Sequence, residues 1–380
     1  MNYRTLGNSN IQAGTIGVGT EHLEKADRST ITSIVELAVE NSINYFDLFL
    51  ANPEFRDNFG YAFKGKRDKV LIAGHLGALH IDGQYVRSRD VKKSEDFFYD
   101  MLKRFGTDYV DVLLIHFVDE EDDFEKTFGP NGLYELALRL QKEGRTRLVG
   151  MSSHKVPVSK KAVENELIDV LMFPINPAFD LTAGDEELDS LWKDDPYAKD
   201  GKLTSESSRS LLHKLCARKQ VSLVAMKVYA AGWLFWKENP SSIVLNSTQC
   251  LHYALSRPGV TTTVPGCKST DELKAAIEYL TATDIEKDFS KINTNPAWNI
   301  KGSCMYCNHC LPCPVNINIA RVIRILDLAQ EGISPYTLKE YRNLDVKPDR
   351  CTECRVCEKR CPFDVHIVEG MNKALKLFKE

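Results

Sequence analysis

The middle of the chain reads VDVLLIHF at positions 110–117, LYELALRLQK at 133–142 and RLVGMSS at 147–153. The first and last of these runs are largely apolar, which is typical of parallel strands that are covered on both faces. The run between them repeats apolar residues at intervals of three and four, which predicts a helix. Together the three runs predict one strand–helix–strand unit of a parallel α/β fold.

The same alternation continues in both directions, from residue 15 to residue 283. The predicted strands are Thr15–Gly19, Ile43–Leu48, Val70–His75, Val110–Phe117, Arg147–Ser153, Asp169–Asn176, Ser222–Tyr229 and Thr261–Pro265. Eight strands with intervening helices over about 270 residues are the count and size of a (β/α)8 TIM barrel. The alternative is a doubly wound open sheet, but Val18-Gly19-Thr20-Glu21 lacks the glycine-rich dinucleotide fingerprint expected after its first strand.

Composition and charge exclude several classes of protein. The 380 residues are 43% hydrophobic and 27% charged, which is ordinary for a folded chain. A net charge of -4 argues against a broad nucleic-acid-binding face. The sequence contains no apolar run long enough to cross a membrane, and Met1–Arg4 leads into polar residues without a secretory signal. We therefore expect a cytoplasmic protein that binds neither nucleic acid nor membrane.

Cysteine is concentrated in the C-terminal part of the chain. Eight of the 11 cysteines follow residue 303, in the runs Cys304-x2-Cys307-x2-Cys310-x2-Cys313-Pro and Cys351-x2-Cys354-x2-Cys357-x3-Cys361-Pro. Because a disulfide framework needs an oxidising compartment, we expect these thiols to hold metal. The pattern predicts a barrel domain at 1–283, a linker at 284–300 and a small ferredoxin-like iron–sulfur domain at 301–380.

The second cysteine run has the spacing of bacterial ferredoxins, in which the fourth cysteine ligates the other cluster. This logic predicts two [4Fe–4S] clusters, each with one cross-ligating thiolate. The first thiol set is Cys304, Cys307, Cys310 and Cys361, and the second is Cys351, Cys354, Cys357 and Cys313. The first run has two residues before its fourth cysteine, where the ferredoxin run has three. The cross-ligation by Cys313 therefore rests on a less regular spacing than that by Cys361. Zinc is the alternative metal, because it also uses paired C-x2-C spacings.

In a barrel the chemistry lies where strands end. Asp47, His75 and His116 stand at the ends of three successive predicted strands. If Asp47 reaches His75, its carboxylate favours the imidazolium, which suits a general acid. A divalent metal on the three residues is a weaker alternative, because no further carboxylate recurs at the neighbouring strand ends.

The later strand ends are candidates for binding a cofactor. Loops after the seventh and eighth strands of this fold often bind phosphate with backbone N–H groups. The candidate residues along this part of the rim are Ser152, Ser153, Asn176, Tyr229, Gly266, Lys268 and Ser269. Ser269 also has the position of a helix cap, with Glu272 completing a capping box.

Several motifs along nearly the whole chain resemble the aldo-keto reductase superfamily, in its branch with a C-terminal iron–sulfur domain. Tyr3–Gly7 resembles the family's opening, Tyr45-Phe46-Asp47 its strand-two aspartate, and Leu114-Ile115-His116 its strand-four histidine. Gly150–His154 and Val264-Pro265-Gly266 resemble its nicotinamide and phosphate loops. The resemblance implies a TIM barrel that binds NADP(H) or NAD(H), with Lys268 near the phosphate.

The chain departs from this family at two catalytic positions. The family's set is aspartate, tyrosine, lysine and histidine. Asn52 stands where the resemblance places the tyrosine, and His75 stands where it places the lysine. Asparagine donates a hydrogen bond but no proton, so His75 is the expected acid. Tyr85, on the predicted loop Gly77–Arg89, is a second candidate, although a position on a surface loop is the better explanation for it.

These observations leave three functional hypotheses. The first is an iron–sulfur oxidoreductase that reduces a small carbonyl or unsaturated organic substrate with NAD(P)H, electrons from the clusters, or both. Because a hydride carries two electrons and a cluster usually moves one, the second adds a flavin such as FMN as converter, with ferredoxin or another electron carrier as partner. The third is a non-catalytic redox sensor or scaffold.

Overall fold

The computed structural model describes residues 1–181, 207–239, 241–295, 300–330 and 332–379. Its strands are β1 Tyr3–Thr5, β2 Gln12–Gly14, β3 Val18–Gly19, β4 Tyr45–Leu48, β5 Leu71–Leu76, β6 Ala78–Ile81, β7 Gln84–Arg87, β8 Val110–Ile115, β9 Thr146–Ser152, β10 Val170–Pro174, β11 Ser222–Met226 and β12 Val260–Thr263.

Helices occupy stretches that follow the barrel strands and parts of the C-terminal region. They are α1 Arg28–Glu40, α2 Pro53–Phe63, α3 Val91–Phe105, α4 Glu121–Phe128, α5 Leu133–Lys142, α6 Val156–Glu164, α7 Pro177–Asp180, α8 Ser208–Lys219, α9 Ser247–Ser256, α10 Thr270–Ile277, α11 Ile319–Leu328, α12 Pro335–Arg342, α13 Val356–Arg360 and α14 Ile367–Leu377. Within the described ranges, no helix has the length and apolar character needed to cross a membrane.

Eight parallel strands form the barrel. Their order is β12-β11-β10-β9-β8-β5-β4-β3. Parallel bridges between Ile16 and Thr263 and between Gly19 and Gly266 join the two ends of this order. The Gly17 N–H also donates to the Thr263 carbonyl at 2.7 Å. The predicted barrel is therefore confirmed. The first barrel strand contributes to closure through Ile16 and Gly17, which precede β3, and through Gly19 at the end of β3.

An N-terminal hairpin covers one end of the barrel. Strands β1 and β2 pair antiparallel, and Leu6 and Ile11 are buried with side chains from the barrel interior. The Gly7 N–H donates to the hydroxyl of Ser222, the first residue of β11, at 2.6 Å. Arg4 donates to the carbonyl of Val260, the first residue of β12, at 2.6 Å. The hairpin thus closes the amino end of the strands and leaves their carboxyl ends for a site.

A second hairpin, β6–β7, follows β5 at the opposite end of the barrel. It lies within the stretch predicted as a loop, so that part of the prediction is wrong. Asp82 and Gly83 form its turn with φ of 50° and 78°, as a type I′ turn requires. An Asp-Gly pair between apolar residues is a strong hairpin signal, and it was the available clue in this stretch.

The described C-terminal residues form helices and no strand. Helices α11 and α14 each begin six residues after a Cys-Pro cysteine, Cys313 and Cys361 respectively. These two helices pack together, and the two cysteine runs lead into them with the same spacing. The regular elements in the described part of this region are therefore helices, and the ferredoxin-like domain stays a prediction.

The cysteine-rich part packs against α8 and α9 of the barrel. Arg257, which directly follows α9, donates to the Met305 carbonyl, and its guanidinium lies 4.5 Å from the Tyr253 ring centre. In the predicted linker, the Asp288 carbonyl accepts a bond from Gln249 at 2.6 Å, and Phe289 is fully buried. The first part of the linker is therefore packed against α9.

Replacement of Gly83 by alanine tests the β6–β7 turn. We expect a loss of about 1 kcal/mol at this position, because a side chain is disfavoured at positive φ. Deuterium uptake of residues 78–87 should increase. Gly65→Ala is the matched control, since Gly65 also has positive φ and open space around it but lies away from the hairpin. Equal uptake in both variants and the wild type would contradict the turn assignment.

Candidate active site

Three polar residues meet at the carboxyl end of the barrel. Asp47 lies near the end of β4, His75 near the end of β5, and His116 directly follows β8. These strands are neighbours in the sheet, so the three side chains converge. All three are buried, with exposures of 7%, 4% and 7%. We refer to Asp47, His75 and His116 as the rim triad.

Hydrogen bonds connect the rim triad into a chain. His75 Nε2 lies 2.9 Å from Asp47 Oδ1, and His75 Nδ1 lies 2.8 Å from His116 Nδ1. The far side of His116 is also bonded, because its Nε2 lies 2.6 Å from the Tyr85 hydroxyl. Tyr85 lies on β7, so the second hairpin brings it to the triad.

The carboxylate fixes the protons along this chain. An ionised Asp47 only accepts, so His75 Nε2 carries a hydrogen and, in neutral His75, Nδ1 accepts. His116 then donates from Nδ1 and accepts at Nε2 from the Tyr85 hydroxyl. Burial lowers the pKa of His116 well below its ordinary value, and the neighbouring His75 lowers it further. A neutral His116 is consistent with this direction of donation.

Aromatic side chains cover the rim triad. The Phe49 ring stacks on His116 at 5.4 Å and 8° and meets the His75 ring edge-on at 5.9 Å. Phe117 lies on the other side of the His116 loop, under the guanidinium of Arg87 at 4.7 Å. These rings exclude water from the histidines, which strengthens the hydrogen bonds between them.

Asn52 does not join the triad through its carbonyl oxygen. Instead it caps α2, where its Oδ1 accepts from the N–H groups of Glu54 at 2.9 Å and Phe55 at 3.4 Å. Pro53 follows at the first helical position, which favours this geometry. The sequence position therefore has a structural role, and its catalytic assignment stays a prediction.

The predicted phosphate loop lies beside the barrel closure. Gly266 pairs with Gly19, and a Cβ at Gly266 would lie 2.9 Å from the His22 ring. Ser269 caps α10 by accepting from the Glu272 N–H at 3.3 Å. The Glu272 carboxylate in turn accepts from the Lys268 N–H at 2.7 Å. One backbone donor of the loop is thus already bonded to an acidic side chain.

The remaining predicted cofactor residues bond within the protein. The Ser152 hydroxyl accepts from the Phe117 N–H at 2.8 Å, and the Ser153 hydroxyl donates to Asp119 at 3.1 Å. Asn176 donates to the Lys227 carbonyl at 2.9 Å. The Tyr229 hydroxyl lies 2.7 Å from that of Ser247. These bonds fix the loops around the rim, and cofactor binding by the four residues stays a prediction.

The eight C-terminal cysteines line two small cavities. Cys304, Cys307, Cys310 and Cys361, the first thiol set, line one cavity together with Phe363 and other apolar side chains. The second thiol set lines the other cavity, with Cys310 also at its wall. In the described part of the chain, no three His, Cys, Asp or Glu side chains group closely enough to hold a metal ion.

Comparison with known proteins concerns the barrel. Residues 10–179 match the model of the Aldo/keto reductase family. Over these residues the chain is therefore similar to the aldo/keto reductase family. The aldo-keto reductase YhdN of Bacillus subtilis (strain 168) is 25% identical over 228 residues, which are 58% of this chain and 65% of that protein. The chain thus matches less than two thirds of the length of this aldo-keto reductase.

Solved aldo-keto reductase structures share the fold. The holo form of aldo-keto reductase AKR11C1 from Bacillus halodurans has a TM-score of 0.60 and 21% identity, covering 77% of this chain and 96% of that one. The apo form has a TM-score of 0.52 with the same identity and coverage. Both likenesses show that the chain shares the barrel fold of these structures.

The tautomers of the rim triad are testable by nitrogen-15 NMR of histidine. At neutral pH we expect His116 to be neutral, with its proton on Nδ1, and His75 to carry a proton on Nε2. Because the pKa of His116 is lowered on folding, its contribution to the free energy of unfolding falls as the pH falls below about 6.5. Asp47→Leu should abolish the His75 preference. A His116 protonated on Nε2 at neutral pH would contradict the proposed direction of hydrogen-bond donation, which runs from Tyr85 through His116 and His75 to Asp47.

Proposed function

We propose that the protein is an iron–sulfur oxidoreductase of the aldo-keto reductase type. It reduces a small carbonyl or unsaturated organic substrate with NAD(P)H, with electrons relayed through two [4Fe–4S] clusters, or with both. The observation that carries the proposal is the buried Asp47–His75–His116 chain at the carboxyl end of the barrel. A chain of this kind, with its far end directed at the barrel mouth, suits proton transfer.

The residues of the rim have separate roles in this proposal. Asp47 orients His75 and stabilises the imidazolium that forms when the chain takes up a proton. His75 and His116 move that proton along the rim, and Asn52 holds the start of α2 beside them. A bound nicotinamide would supply the hydride. Ser152, Ser153, Asn176 and Tyr229 would position it, and the loop Gly266, Lys268 and Ser269 would hold its phosphates.

Glu272 is expected to influence the choice between NADPH and NADH. Its carboxylate lies at the N-terminus of α10, bonded to the Lys268 N–H, where it would repel an added phosphate. We expect Glu272→Gln to tighten NADPH binding about three- to tenfold and NADH binding less, because NADPH carries the larger negative charge. Fluorescence titration measures both. Asp271→Asn, on the same exposed turn, is the matched control, and equal gains for the two nucleotides would contradict the assignment.

The iron–sulfur part of the proposal is supported by the two thiol-lined cavities. Each set of four cysteines predicted from spacing lines one cavity. Apolar side chains form most of the remaining walls, together with Asn308 and His309 in the first cavity and Thr352 and Arg355 in the second. A cubane cluster spreads its thiolates around four irons, whereas zinc draws four ligands onto one ion. The run Cys351-x2-Cys354-x2-Cys357-x3-Cys361-Pro has the ferredoxin spacing and favours the cluster.

The cross-ligation is testable with cysteine variants. Cys361→Ala removes the fourth thiolate of the first set, and Cys313→Ala that of the second. In the electron paramagnetic resonance spectrum of reduced protein, we expect Cys361→Ala to lose the same one of two signals as Cys304→Ala, and Cys313→Ala to lose the same signal as Cys351→Ala. Cys216→Ala removes a buried thiol in α8 and should leave both signals. Loss of one and the same signal in Cys361→Ala and Cys351→Ala would refute the cross-ligation.

A second candidate function is ferredoxin-linked electron transfer, with FMN at the barrel rim as converter. One observation favours it: Cys354 of the second thiol set is exposed, which would bring that cluster within reach of a protein partner. The Met305 contact with Arg257 lies near the amino ends of the strands, away from the rim triad. Turnover that requires ferredoxin and is not supported by NAD(P)H would favour this candidate.

A further inference from the structure

We propose that Tyr85 is the catalytic residue that exchanges a proton with the substrate oxygen, from a place in the fold different from the family's tyrosine. The inference rests on the proposed function. At the family's position Asn52 caps a helix. Tyr85 instead reaches the same rim from the β6–β7 hairpin, and its hydroxyl lies 2.6 Å from His116 Nε2.

The hairpin is fixed to the loop that carries His116. At its base, the Ser88 N–H donates to the Gly77 carbonyl at 2.9 Å. Arg89 follows β7 and donates to the Phe117 carbonyl at 2.9 Å. Arg89 also donates to Asp123 in α4 at 2.8 Å. Tyr85 and His116 are therefore held together by contacts on both sides of the pair.

Tyr85 connects solvent with the buried triad. The residue is 43% exposed, whereas His116 is 7% exposed. Its ring meets Phe49 edge-on at 6.3 Å. Burial raises the pKa of the Tyr85 phenol, which keeps it protonated at neutral pH. An exposed ring whose hydroxyl meets a buried histidine is the placement that a proton donor needs.

The chain has two states that differ by one proton. In the neutral state Tyr85 donates to His116, His116 to His75, and His75 to Asp47. When the chain takes up a proton, the bonds between Tyr85, His116 and His75 reverse: His75 Nδ1 donates to His116, and His116 Nε2 donates to the Tyr85 oxygen. The Tyr85 hydrogen is then free to point at a substrate. The neutral chain accepts a proton from an alcohol, and the charged chain supplies one to a carbonyl.

The reaction balances in the reducing direction. The carbonyl carbon receives a hydride, with two electrons, from reduced nicotinamide, and the C=O π bond breaks. The substrate oxygen takes the Tyr85 proton, and Tyr85 regains one from His116 Nε2. The products are the alcohol, oxidised nicotinamide and the neutral chain.

The charged and titratable groups that face His116 and Tyr85 are Asp47, His75, His154, Arg87 and Arg89.

The test is Tyr85→Phe in the full-length protein, which removes one hydroxyl. Wild type and variant are assayed with NADPH and NADH against a panel of small aldehydes, ketones and enones that includes 4-nitrobenzaldehyde. We expect kcat to fall at least about a hundredfold with nucleotide binding unchanged. Tyr99→Phe is the matched control, because Tyr99 is also partly exposed and bonds Glu143 on the outside of the barrel.

The pH dependence supplies a second readout. In the wild type we expect the rate of carbonyl reduction to fall, and that of alcohol oxidation to rise, as the pH increases, and both slopes should flatten in Tyr85→Phe. A wild type that reduces the panel, with Tyr85→Phe equally active and equally pH-dependent, would overturn the role of Tyr85 alone. A wild type that reduces no member of the panel would overturn the proposed carbonyl reduction itself.

Discussion

The bond between the Asp47 carboxylate and His75 Nε2 is the interaction on which the candidate site depends. An ionised carboxylate accepts and does not donate, so this one contact assigns a donor or acceptor role to each ring nitrogen as far as Tyr85. Without it, His75 and His116 would share a short Nδ1–Nδ1 contact with no preferred direction. The Phe49 ring, which meets the His75 ring edge-on, strengthens the bond by excluding water.

The barrel supplies the geometry for this bond. Strands β4, β5 and β8 are adjacent and parallel, so residues near their ends meet without any long connection. Closure of the barrel depends on Gly17 and Gly19, where a Cβ would lie within 2.8 Å of a facing carbonyl oxygen. The N-terminal hairpin closes the other end, which leaves the rim as the end where substrate and cofactor would enter.

The sequence predicted the barrel well because parallel buried strands are apolar on both faces, as in 110–117. It also brought Asp47, His75 and His116 together, because strand order places their ends side by side. The β6–β7 hairpin was missed, since Gln84 and Tyr85 are exposed and lack a strand-like apolar pattern. The Tyr85–His116 contact joins residues far apart in sequence and depends on the turn geometry at Asp82-Gly83. The capping role of Asn52 was not predicted, because the resemblance assigns the family's catalytic tyrosine to this position.

The C-terminal cysteines and the barrel rim are parts of one redox account, and a single analysis tests both. Iron, zinc and released flavin would be measured together in protein purified without oxygen. The account predicts about eight irons per chain, four for each cluster, with little zinc and no stoichiometric flavin. Zinc in place of iron would contradict the clusters. One flavin per chain would contradict direct hydride chemistry at the rim triad.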